Sequence, residues 1–296
     1  MDTRTRPISA RVGGTTFGGP GLYRLVGTVD VHGKGTLHPL HDVDPIVLMD
    51  QARITGKGLP KFGVHPHYGL IACSVVIDGA LVDEDNLGAS PGGYTSAGSV
   101  YCAASGRGIA HAEETADEEN FLLQVIVRIP AEKMHLRPTI TKARKDELPT
   151  VQGSTLLVGE LDGIKSPATP DSWPDAVFLR VTLDPGESRS LALPENYPHG
   201  CVRVLKGAGR VAGQHFTADT IEVAVFGKGG SLEVAADDDS PFDVFLATGQ
   251  PMLEEPWVKK LGASSFYCFI FSEATSRRQQ RLWDFPQRAR GRGDHG

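Results

Sequence analysis

The sequence predicts an all-β protein of sandwich- or barrel-like sheets, and two observations carry that reading. Short apolar runs rich in Val, Ile and Phe recur along the 296 residues, and 35 glycines and 20 prolines are scattered between them rather than gathered in one linker. Turn chemistry is also dense: "IDGALVDEDNLG" and "LDPGES" set Asp-Gly and Pro-Gly steps between apolar stretches.

Taken in order, strands are expected in "PIVLMD" (45–50), "LIACSVVI" (70–77), "FLLQVIVRI" (121–129), "AVFLRVTL" (176–183), "CVRVLKG" (201–207) and "FDVFLAT" (242–248). One short helix is expected over 272–285, "SEATSRRQQRLWDF", with Ser272 or Thr275 at its start and Pro286 stopping it. A boundary falls near 130–150, where the chain is charged and broken by Pro130, Pro138 and Pro149. On either side the halves echo each other. "HPHYGLIACSVVIDGALV" lies beside "YPHGCVRVLKGAGRV", each with a Pro-His step, an apolar run and a glycine turn. At the echoing position the second half has His199 alone, with no later His-x-Glu pair, so chemistry is expected in the first half only.

A formal charge of -6 and a pI of about 5.9 argue against direct nucleic-acid binding. No apolar run approaches the roughly 18 residues that span a bilayer. Cys73, Cys102, Cys201 and Cys268 form no Cys-x-x-Cys pair, which argues against a thiolate zinc site and a disulfide framework. The start "MDTRTRPISARVGG" lacks the apolar core of a secretory signal, so an intracellular location, cytoplasmic or nuclear, is expected.

Two dyads carry the chemistry. "KFGVHPHYGL" places His65 and His67 at a spacing of two, and "SGRGIAHAEE" does the same with His111 and Glu113. Side chains at i and i+2 of a strand share a face, so facing strands would bring three imidazoles and a carboxylate to one point. That set suits iron, manganese, nickel, copper or zinc and leaves positions open for substrate and dioxygen. The glycines of "SGRGIAH" fit a tight turn delivering His111. Strand alternation, if unbroken, puts Cys73 on the face of His65 and His67. "DEDN" (83–86) reads as a solvated hairpin turn, "GKGGS" (227–231) as a turn lacking phosphate-loop spacing, and the arginine-rich tail as a solvated terminus.

"HPHYG", "DEDNLG" and "GRGIAHAE" resemble the signature of the pirin family, and the likeness runs on through "DGIK", "LDPGES" and "ATGQPMLEEP". The resemblance implies a bicupin: two stacked cupin barrels, a metal-binding one over 1–137 and one without ligands over 138–296, ending in the short helix. It implies iron(II) held by His65, His67, His111 and Glu113. Many pirins have an Arg after the second histidine and a Glu three residues on, where this chain has Tyr68 and Ile71. The activity implied is that of a quercetin 2,3-dioxygenase acting on a flavonol-like aromatic with dioxygen. Glu113 would then be ligand and proton acceptor, and Tyr68, Leu70, Ile71 and Cys73 would line the pocket. The alternative implied is a monomeric, non-enzymatic redox-sensing regulator that binds a protein partner.

Overall fold

A computed structural model describes residues 5–16, 19–27, 43–59, 63–88 and 93–252, with the strands Val258–Lys260 and Tyr267–Phe269. Nearly all of its regular structure is strand; the helical turns among the described residues are the 3-10 segments Ala131–Lys133 and Lys145–Glu147. All six predicted runs are strands, observed as Ile46–Thr55, Leu70–Asp78, Glu119–Arg128, Ala176–Leu183, Gly200–Val211 and Phe242–Gly249. The helix expected over 272–285 lies outside the described residues. So does Cys268's side chain. No helix among the described residues is long and apolar enough to cross a membrane.

A seven-stranded antiparallel sheet organises the first half, in the order Thr139–Ala143, Val100–Ala104, Leu70–Asp78, Glu119–Arg128, Ile46–Thr55, Leu22–Val26 and Thr15–Thr16. A second sheet of His65–His67, Ile109–Thr115, Ala80–Asp85 and Gly93–Ser96 completes that half. The second half is built on an eleven-stranded sheet whose main path runs Ile8–Gly13, Glu222–Phe226, Gly200–Val211, Phe242–Gly249, Ala176–Leu183, Ser154–Leu161 and Thr150–Val151. Sheet membership crosses the middle of the sequence at both ends. Ile8–Gly13 pairs with Glu222–Phe226, while Thr139–Ala143 pairs with Val100–Ala104.

Period-two alternation gives the central sheet two unlike faces. Ile71, Cys73 and Val75, with Cys102 and Val125, join Trp173, Phe178 and Phe245 of the second half in one continuous core. Phe178 sits edge-on to both Trp173 and Phe245, with centroids 5.2 and 5.4 Å away. The opposite face carries a smaller apolar group containing Leu70, Ala72, Tyr101 and Ile126, and beside it the polar Ser74 and Gln124. The second half has its own separate core, in which Leu179, Val202, Phe226, Phe242 and Leu246 fill the space between strands.

Hydrogen bonds stitch the halves together around the shared core. Buried Arg203 donates to Gln51 Oε1 at 2.8 Å, Arg53 to the Leu205 carbonyl at 3.1 Å, and Thr141 to the Ala168 carbonyl at 2.7 Å.

Two expectations are corrected here. Cys73 does not share a face with the histidines, because the chain bends at Tyr68–Gly69 and leaves His65–His67 and Leu70–Asp78 in different sheets. Its thiol instead meets Cys102 across the strand pair, Sγ to Sγ 2.9 Å, with both thiols free. "DEDN" is not mainly a turn either: Ala80–Asp85 is strand, and Asp83 is buried against Lys142 Nζ at 2.7 Å.

Phe178 is fully buried where the two halves meet. Phe178→Ala is expected to cost about 3–5 kcal/mol, read by urea denaturation. A loss under about 1 kcal/mol would mean that the two sheets do not pack through this ring.

Candidate metal centre

The two dyads meet because two glycine turns are tied to each other. Gly69 (φ 66°) ends the bend after His67, and Gly106 (φ 44°) opens the turn before Ile109. The Gly69 amide donates to the Gly106 carbonyl at 3.0 Å. A side chain at Gly106 would be strained by that positive φ and would place its Cβ 2.3 Å from the Leu136 carbonyl oxygen. The strands that leave these turns pair antiparallel, with Ile109 opposite His67 and His111 opposite His65.

Three imidazoles converge as a result. Their ring centroids lie 4.7 to 4.9 Å apart. One ligand-capable nitrogen from each of His65, His67 and His111 falls within 4.8 Å of the others. Ligands at about 2.1 Å from a shared ion stand roughly 3–4 Å apart, so small shifts would seat one. Glu113 joins from His111's own strand, its Oε2 4.0 Å from His111 Nε2. Its other oxygen accepts from the Ser74 hydroxyl at 2.5 Å, and Ser74 also bonds Gln124 at 2.9 Å.

Electrostatics suit the donor set. Burial lowers the pKa of His65, His67 and His111, and for the latter two the neighbouring imidazoles lower it further. All three are therefore neutral, with a lone pair to give, and the His111–Glu113 contact is not an ion pair. Burial pushes the Glu113 carboxyl up to about 7, against the opposing hydrogen bond from Ser74; Asp83 raises it further and Lys142 lowers it. His111 Nε2 is buried without a hydrogen-bond partner. An orphaned imidazole nitrogen beside two other neutral imidazoles and a carboxyl fits a divalent transition metal.

Of the residues expected around this centre, Leu70 lies in the apolar group that also holds Tyr101. Tyr68 is half-buried at the bend. Ile71 and Cys73 point the other way, into the core shared between the halves. Ser74, Tyr101, Asp83 and Lys142 surround the centre and were not anticipated. Ser74 carried one readable signal, a lone polar residue inside the apolar run "LIACSVVI". Asp83–Lys142 is a long-range pairing that no local pattern announces.

The fold is that of a bicupin. Over 95% of this chain and 97% of the other, it matches a quercetin 2,3-dioxygenase from Acinetobacter baumannii with a TM-score of 0.73 at 20% identity. The Pirin family model matches residues 30–127, the segment holding both dyads. The chain is 29% identical to human Pirin over 227 residues, 73% of this chain and 74% of that one. It is also 29% identical over 247 residues to a Pseudomonas aeruginosa protein named as a candidate quercetin 2,3-dioxygenase, 77% of this chain and 69% of that one. The chain is thus similar to the pirin family through the segment that holds both dyads.

The raised Glu113 pKa makes a pH prediction for metal-free protein. The folded state holds that proton more tightly than the unfolded chain, so the contribution of Glu113 to stability is greatest below about 4.5 and is lost as pH rises through about 7. Glu113→Gln removes this loss, while the histidine contribution, opposite in sign, is common to both proteins. The melting-temperature advantage of the variant should be near zero at pH 4.5 and grow to a plateau above pH 7. A pH-independent difference would show that Glu113 ionises normally.

Proposed function

We propose that this protein is a metal-dependent dioxygenase of quercetin 2,3-dioxygenase type, acting on a flavonol-like aromatic. The observation that carries the reading is three neutral imidazoles, two of them buried and one half-buried, converging beside a carboxyl pushed up to about 7. His65, His67, His111 and Glu113 would hold the ion, and iron(II) is the metal we assign. When bound, it would supply Lewis acidity toward a substrate hydroxyl and a route for dioxygen chemistry.

The chain's residues would do the rest. Glu113, set beside the histidines, can take the hydroxyl proton of the substrate. Ser74 fixes one Glu113 oxygen and leaves the other facing His111. Leu70, Ile126 and Val47 give an apolar wall on the face of the sheet that carries Tyr101, suited to an aromatic ring. Ile71 and Cys73 are left out of this pocket.

We further propose that the chain divides near residue 137 into two barrel units with the metal in the first, Ile8–Gly13 completing the sheet of the second unit and Thr139–Ala143 that of the first. The second half's own apolar cluster, separate from the core shared between the halves, supports this.

Oxygen uptake by iron(II)-loaded protein given quercetin tests the activity, with His111→Ala as control. Uptake abolished in the variant, by at least about a hundredfold, is expected. No uptake from wild-type protein carrying one iron per chain would turn the assignment to a regulator that binds a protein partner.

A further inference from the structure

Tyr101 stands against His111 without belonging to either dyad. It sits in the strand Val100–Ala104, fully buried, on the face of the central sheet that carries Ser74. Its hydroxyl lies 3.3 Å from His111 Nδ1, and the two ring planes are within 13° of parallel. The ring is itself held in place. Lys142 Nζ sits 5.3 Å from its centroid, and Asp83 fixes that ammonium at 2.7 Å.

A neutral imidazole carries one proton, and the two positions on His111 are not equivalent. A proton on Nε2 would be a buried donor with no acceptor, since that atom has no hydrogen-bond partner. A proton on Nδ1 meets the Tyr101 oxygen. The surroundings therefore select the Nδ1–H form, which leaves the Nε2 lone pair bare. The converse arrangement, with the tyrosine donating to Nδ1, would put the proton on Nε2 and make His111 useless as a ligand. His65 is set in the same sense by a different partner, its Nδ1 lying 3.1 Å from the Gly63 carbonyl oxygen.

We propose that Tyr101 is a positioning residue for the metal centre: its hydroxyl accepts the Nδ1 proton of His111 and so presents Nε2 to the ion. This rests on the reading of the histidine cluster as a metal site. Tyr101 touches neither metal nor substrate in this scheme. It acts through His111, as outer partners of ligating imidazoles do generally.

Tyr101→Phe keeps the ring and removes one oxygen. With nickel(II) alone as probe, competed against a chromogenic chelator, the variant should bind about 10–100-fold more weakly than wild type. The melting temperature of the metal-free protein should stay close to wild type. A role in packing alone would lower the melting temperature and leave the nickel affinity of the folded fraction unchanged, and that result overturns the proposal. The His111 tautomer, read from imidazole nitrogen shifts in metal-free wild-type protein, gives a test that needs no variant. Nδ1–H is expected, and Nε2–H refutes the assignment to Tyr101. The two levels separate cleanly. Wild-type protein that binds no nickel, or His111→Ala that binds as well as wild type, overturns the metal site itself. Equal affinity of wild type and Tyr101→Phe, with His111→Ala inactive in binding, overturns the role of Tyr101 alone.

Discussion

The alternation of side chains along Leu70–Asp78, Val100–Ala104 and Glu119–Arg128 is the constraint from which both the architecture and the centre follow. Each strand must satisfy two environments at once. Its odd or even set enters a dry core shared with the second half, and the other set faces the histidines. A one-residue slip in any of these registers would exchange Ser74 for Cys73 or Tyr101 for Cys102 and bury a polar group in the shared core. The core between the halves thus fixes the register of the strands, and the register fixes what stands behind the ligands.

The centre is then an exercise in desolvation. Three imidazoles packed within 4.8 Å could not all be protonated, and burial keeps each of them a neutral donor. The same burial would make an ordinary carboxylate costly, and Glu113 answers with a raised pKa and a hydroxyl donor in Ser74. Negative charge is also met by Lys142, which pairs with buried Asp83. The second half has undergone the opposite choice: its own core is apolar throughout its largest cluster.

The strands and the two dyads were legible because their signals are local. Apolar runs bounded by Gly and Pro fix an element within a few residues, and His-x-His or His-x-Glu declares a shared face without reference to the rest of the chain. What failed was the transfer of phase across a bend. Counting by twos from His67 reaches Cys73 on the same face only if the strand is unbroken, and Gly69 at φ 66° breaks it. Tyr101 was hidden for another reason. Within "SVYCAAS" it reads as one more core aromatic, and its hydroxyl gains meaning only from a histidine ten residues on in a different sheet. Asp83 looked like part of a solvated acidic run because the lysine that buries it lies 59 residues away.

The first described strand belongs to the far end of the fold. Ile8–Gly13 pairs with Glu222–Phe226, Ser9 donates to the carbonyl of Val225 216 residues on, and Arg6 turns its guanidinium inward to the Pro194 carbonyl at 3.0 Å. At ribosomal rates of about 5–20 residues per second, this strand emerges roughly 10–40 seconds before its partner exists. Before that interval ends the histidine-bearing sheets can close on themselves, since the last strand they need, Thr139–Ala143, is made before Glu222–Phe226. The order of synthesis therefore runs against the order of sheet assembly, and the earliest residues become the latch that the last-made sheet closes.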